Sequence, residues 1–176
     1  MTVVPKCNRL ADCENIARKE KSNPYLQKDH WITRKYMNIK LVYSPPTAED
    51  YVSLRLRSGM GNKDIQRSRI ALINSLFTIS LYDGETLIGF GRIVGDGGIT
   101  YVVSDIMVDM EYQRKGFAEQ IMQVIDKYFE ANAHEDSYIC LIANHPAELL
   151  YKKHKFEYLP ENKCGMLRNQ SSKNEK

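Results

Sequence analysis

Two short glycine-marked breaks, Asp83-Gly84 and Asp96-Gly97-Gly98, separate three hydrophobic runs, LFTISLY, TLIGFGRIV and ITYVVSDIMV. Nothing else in the chain restricts its fold as strongly. Asp-Gly between apolar runs signals a hairpin, because glycine accepts the positive φ that a tight reversal between twisted strands demands. Three runs joined in this way form an antiparallel meander. An earlier run, MNIKLVY, adds a strand over residues 39–43. Pro45-Pro46 follows it, Thr47 is placed as an N-cap with Asp50 at the third helical position, and a helix through Leu54 and Leu56 stops before Gly59 and Gly61. A second helical stretch runs from about Asp64 to Asn74.

After the meander comes EYQRKGFAEQIMQVIDKYF, Glu111 to Phe129. Its apolar positions Phe117, Ile121, Val124, Ile125 and Tyr128 fall on one helical face. A strand, SYICLIA, follows, and the intervening helix makes it a parallel neighbour of the preceding strand through a right-handed crossover. A short helix from Pro146 and two closing strands near Phe156–Leu159 and Gly165–Leu167 complete the pattern. The class is α+β, with a mixed, mostly antiparallel sheet flanked by helices.

The 176 residues suffice for one domain with a real core, and 43% hydrophobic with 27% charged residues is the balance of a soluble protein. A net charge of +3 does not mark a nucleic-acid binder, and the basic region 55–69 lacks interleaved aromatics, so no nucleic-acid partner is expected. No apolar run reaches membrane-spanning length, so no membrane partner is expected either. Cys7, Cys13, Cys140 and Cys164 form no CxxC pair, which argues against a metal site or a disulfide framework. Unpaired thiols without an evident export signal point to a cytoplasmic protein. Residues 1–36 are polar and aperiodic and read as an N-terminal extension. Either Met37 is an alternative start, or the segment forms a short helix on the domain edge. The domain proper is 37–168, and the polar NQSSKNEK, 169–176, is a tail.

Gly116 sits where the amphipathic helix begins. Such an end carries N–H groups outside the helical ladder and the positive end of the dipole, and glycine lets a ligand approach the backbone. With Gln113, Arg114 and Lys115 beside it, the turn suits a diphosphate. The same six residues also make an ordinary solvated basic turn.

The wider order decides between these readings. Strand, QRKGFA, helix, strand and NHPAELLYKKHKF together resemble the GNAT superfamily of acetyl-CoA-dependent N-acetyltransferases. Gln113, Gly116 and Ala118 match its Arg/Gln-x-x-Gly-x-Gly/Ala pattern, and Val108 ends the hydrophobic strand upstream. Asn144, Tyr151 and Phe156 follow in the family's order, while Lys155 stands where glycine is common. The resemblance covers roughly Ile39 to Arg168. It implies acetyl-CoA as cosubstrate, without a metal. The diphosphate would rest on Gln113, Arg114, Lys115, Gly116, Phe117 and Ala118. The pantetheine arm would lie on backbone groups of Ile106, Met107 and Val108, where the strand bulges and parts from its parallel neighbour, and on Asn144.

Tyr151 would be the general acid, and the acceptor a primary amine of a small molecule attacking directly in a ternary complex. A homodimer is compatible with this reading. Positions that often carry the base hold Val102 and Ser104, so a water chain is expected to drain the proton. Asp105 should point to the opposite face unless the bulge intervenes. His145 and His154 should both lie at the surface. The missing strand base supports a rival, a non-catalytic acyl-CoA-binding sensor of the same fold; the retained Tyr151 opposes it. The acceptor would enter between the region 51–69 and the segment after Phe156.

Overall fold

The computed structural model describes residues 39–168, and the expectations for 1–36 and 169–176 lie outside them. The described residues fall into two units, 39–142 and 143–168. The first holds a five-stranded sheet in sequential order: β1 (Ile39–Val42), β2 (Phe77–Asp83), β3 (Thr86–Gly95), β4 (Thr100–Val108) and β5 (Tyr138–Cys140). Pairing is antiparallel except for β4 with β5. Helices α1 (Ala48–Arg57) and α2 (Ile65–Ile73) join β1 to β2, and α3 (Phe117–Asn132) joins β4 to β5.

Thr47 caps α1 as expected, accepting from Asp50 N–H at 3.0 Å; Asp64 is found to cap α2 as well, accepting from Arg67 N–H at 2.8 Å. Gly84 takes φ 58° at the first position of the two-residue hairpin loop. In the next loop Asp96 Oδ1 gathers the N–H groups of Gly98, Ile99 and Thr100, and these hold its carboxyl below the usual range.

Each face of the sheet is covered by a helix. Phe90 meets Tyr51 of α1 edge-on, within a buried cluster that includes Val52, Leu54, Leu72 and Met107. On the opposite face Phe117, Ile121, Met122, Val124 and Ile125 of α3 are buried, each contributing about 1.5–3 kcal/mol by leaving water. Close approach there depends on the absence of side chains at Gly89 and Gly91 of β3. A Cβ at Gly91 would lie 2.6 Å from Ile121 Cγ2 and 2.8 Å from Ile106 Cδ1.

The second unit contains α4 (Glu148–Lys153). Beyond it Lys155 takes φ 64°, a left-handed conformation that glycine would adopt without strain. Two expectations fail. β5 covers only 138–140 rather than all of SYICLIA, because its pairing with β4 ends at Val102–Cys140. The closing strands near Phe156–Leu159 and Gly165–Leu167 are absent among the described residues. Residues 157–168 are exposed throughout, so the segment has no face to bury, and Pro160 removes a ladder donor. Among the described residues no helix is long and apolar enough to cross a membrane.

Gly91→Ala is expected to destabilise the protein by about 1–3 kcal/mol in chemical denaturation, because the added methyl meets the fully buried Ile121 and cannot be absorbed without moving α3. An unchanged midpoint would show that α3 is not seated closely on β3.

Candidate active site

Strand β4 is irregular where the site begins. Arg92 pairs with Ser104 and Phe90 with Met107, so Asp105 and Ile106 together oppose Gly91. This is a β-bulge, and Asp105 within it takes φ 54°. The bulge does intervene in the alternation and turns the Asp105 carboxylate towards α1. There Oδ1 accepts from Arg55 Nη1 at 2.7 Å, and Oδ2 accepts from Arg92 Nε at 2.6 Å and from the Tyr51 hydroxyl at 2.9 Å. Burial works to raise the Asp105 pKa, but the two guanidiniums and the hydroxyl outweigh it and hold the carboxyl below its ordinary range. Arg55 is itself buried, with Nε and Nη2 bonded to the carbonyls of Gly61 and Met60. Burial and the Asp105 charge push the Tyr51 phenol up.

Past the bulge β4 runs alone on one side, since β5 has already left it. The Asp109 N–H to Ile88 O bond sets the phase of the β3–β4 ladder. By the antiparallel alternation, Met107 turns its backbone groups towards β3 and Val108 turns its own towards the open edge. Ile106 lies in the bulge with its side chain against α3.

The loop to α3 is tied down at every step. Buried Asp109 accepts from Glu111 N–H and pairs with Arg57 Nε at 2.6 Å, while Arg57 Nη2 reaches Leu87 O. Tyr112 donates to Asp83 at 2.7 Å, and this bond pushes its phenol up to about 12. Gln113 Nε2 donates to Val108 O at 3.0 Å, and Lys115 Nζ donates to Glu111 O over the Tyr112 ring. Gln113 and Lys115, read from sequence as ligand donors, therefore brace the loop. Arg114 is exposed at φ 60°.

Gly116, at φ 87°, is the N-cap of α3 and offers no capping side chain; the first intrahelical bond runs from Gln120 N–H to Gly116 O at 2.9 Å. A Cβ at Gly116 would meet nothing within 4 Å, so the surface over this helix end is open. Phe117 packs its ring inward against Tyr112, which leaves only its backbone for a ligand, and Ala118 begins the first turn. A helix start without a capping side chain, approached through two left-handed residues, Arg114 and Gly116, suits the oxygens of a diphosphate.

This arrangement has many counterparts. The profile of the acetyltransferase (GNAT) domain matches residues 74–158. A crystal structure from meticillin-resistant Staphylococcus aureus, described as a protein of unknown function and probable acetyltransferase, shares 39% identity and a TM-score of 0.72, over 75% of this chain and 99% of that one. The chain belongs to the GNAT acetyltransferase superfamily. A GNAT-family acetyltransferase from Streptococcus pneumoniae shares the fold at 24% identity and a TM-score of 0.62, over 76% of this chain and 99% of that one. No curated protein matches the sequence.

Two further residues that the GNAT pattern singles out lie in the second unit. Asn144 accepts at its carbonyl from Ala147 N–H at 2.7 Å, in the turn before α4. Tyr151 is on α4, its ring edge-on to Phe156 at 6.2 Å, and burial pushes its phenol up. His145 is exposed as expected, but His154 is buried at the C-cap of α4. Among the described residues no group of three or more His, Cys, Asp or Glu is placed to hold a metal ion.

Sequence reading missed the Arg55–Asp105–Arg92 cluster, although a signal was present. Ala48, Tyr51, Val52 and Arg55 are spaced as one helical face, so Arg55 occupied a core position and required a partner. Arg92 likewise follows Phe90 at the strand period of two.

Asp105→Asn should cost about 3 kcal/mol or more at neutral pH, because it leaves two arginines without their counter-charge. The depressed folded pKa makes the carboxylate's contribution fully present above its unfolded value of about 3.9, and lost as pH falls through the folded value. Melting curves below pH 5 should therefore fall less steeply in Asp105→Asn than in wild type; parallel acid limbs would show the cluster to be energetically silent.

Proposed function

We propose that this protein moves an acetyl group from acetyl-CoA to the primary amine of a small molecule, in a ternary complex. The observation that carries this reading is the braced loop ending in Gly116, open above and aimed at the start of a 16-residue helix. Bound acetyl-CoA supplies an activated thioester carbonyl. The backbone around Arg114 to Ala118 holds the diphosphate, with the exposed Arg114 guanidinium adding charge. The edge of β4 at Ile106, Met107 and Val108, at and beyond the bulge, receives the pantetheine arm and polarises the carbonyl; Asn144 is assigned to the arm on its place in the GNAT pattern alone.

An alkyl amine has a pKa of about 10.4 and arrives protonated. Val102 and Ser104 cannot take that proton effectively, and Asp105 is saturated by its own partners, so water carries it to solvent. Tyr151 serves as general acid for the departing sulfur. Its place in the GNAT pattern supports the role, and burial keeps the phenol protonated across the working pH range. The same lack of a strand base favours one second reading, a non-catalytic acyl-CoA-binding sensor.

Gly116→Ala should lose about 1 kcal/mol of stability to left-handed strain and weaken acetyl-CoA binding by about tenfold, because the added methyl would stand in the open space through which a phosphate approaches the backbone N–H groups. Unchanged calorimetric affinity in a folded variant would remove the diphosphate from this loop. Tyr151→Phe should bind acetyl-CoA normally and lower kcat by roughly a hundredfold, with KM little changed. Wild-type turnover in that variant would leave solvent as the proton donor. Bound acetyl-CoA with no thiol release across a broad amine panel would instead support the sensor.

A further inference from the structure

A pocket of about 360 Å³ opens between α1, α2 and strands β3 and β4, a volume that suits a small molecule. Its β4 wall is Ser104 and Asp105, immediately before the segment assigned above to the pantetheine arm. Arg55, Lys63, Arg67 and Arg92 line it, against only two carboxylates, Asp64 and Asp105. The state of those carboxylates is decisive. Asp105 has both oxygens engaged by Arg55, Arg92 and Tyr51, and Asp64 Oδ1 caps α2. Asp105 is therefore unavailable to a substrate ammonium, while the exposed Asp64 keeps Oδ2 and its charge, so the lining holds four cations against two anions.

The cations are committed unequally. Arg55 is consumed by Asp105, Tyr51 and two carbonyls, and Arg92 uses Nε and Nη1. Among the described residues, the side chains of Lys63 and Arg67 make no hydrogen bond or ion pair, and Arg92 Nη2 makes none. The pocket thus presents unspent positive charge around an internally neutralised acid. A simple protonated amine or a polyamine would meet repulsion there.

We propose that this pocket takes the acceptor, and that the acceptor is an amine also bearing an anionic group, carboxylate or phosphate, held by Arg67 and Lys63. The inference rests on the transferase reading above and adds its substrate class. A fork of guanidinium donors matches either anion, and the flexible ammonium of Lys63 adds a point charge. The anionic end, seated towards α2, leaves the amine end to face β4.

The test is a matched series of straight-chain ω-amino acids of three to six carbons, with their amides, the corresponding aminoalkyl phosphates and diamines of equal length. Wild type should use the carboxylates or the phosphates with kcat/KM about tenfold or more above the amides, and the diamines least. The carboxylate and phosphate arms separate the two anions. Arg67→Glu, at an exposed position on α2, should invert the ranking towards diamines, and Arg67→Gln should flatten it; melting curves check that both variants fold. Amides or diamines used as well as the acidic amines by wild type would overturn the proposal while leaving the transferase reading intact. Calorimetric titration of the same compounds, with coenzyme A present, gives a readout independent of turnover. Stronger binding of the acidic amines than of their amides, lost in Arg67→Glu, would support the anion site even if no amine were acetylated, an outcome that would remove the transferase reading alone. Equal binding of acid and amide would overturn the proposal.

Discussion

The bulge at Asp105, fixed by Arg55 and Arg92, is the constraint on which the functional half of the first unit depends. One additional residue in β4 breaks the alternation of the strand and sends a carboxylate among the helices of the α1 face. A left-handed aspartate costs about 1–2 kcal/mol relative to an ordinary strand conformation. Two arginines and a tyrosine offset that strain by satisfying the carboxylate completely. The cluster need not add much net stability, because desolvating three charges nearly cancels their attraction. What it supplies is uniqueness. With Arg55 and Arg92 both requiring this carboxylate, any other register of β4 against β3 would strand buried charge.

The consequences run in both directions along β4. Towards its start, the strand pairs with β5 through only three residues. Towards its end, Val108 turns its polar backbone to an edge that no strand covers. On that edge the Val108 carbonyl accepts from Gln113 Nε2 instead of from a strand. The edge lies next to a helix start whose approach loop is fixed by Asp109, Tyr112, Gln113 and Lys115. Those bonds leave the loop little freedom to lose when a ligand binds, which is the condition for fixed dipoles to act on charge without reorganisation.

The α1 and α2 side has a different electrostatic character. Its pocket sets Arg55, Lys63, Arg67 and Arg92 against Asp64 and the fully engaged Asp105, so its surplus is cationic. The open helix start at Gly116 and the cationic pocket at Arg67 therefore lie on the same unit, at two stations along one strand and the loop that follows it. The glycines of β3 make this compact, since α3 can settle on Gly91 while the opposite face of β3 presents Phe90 and Arg92 to α1.

Sequence by itself determined the meander, the cap at Thr47, the helical stretch from about Asp64, the apolar face of α3 and the placement of Gly116 at its start, because each depends on contacts within a few residues. The family was legible because its pieces, QRKGFA and the later Asn144, Tyr151 and Phe156, are short local signals in a fixed order. It did not determine the partner of Arg55, the exact length of β5 or the state of Asp105. Those depend on a one-residue bulge set by packing between β3, β4, α1 and α3, and on charges that meet across 50 positions in the case of Arg55 and Asp105. The helical spacing of Tyr51 and Arg55 showed that a charge would be buried, but only the tertiary structure decided which acid would neutralise it. The predicted strands after Phe156 failed on the same principle, since alternation cannot make a strand where no neighbouring edge and no buried face receive it.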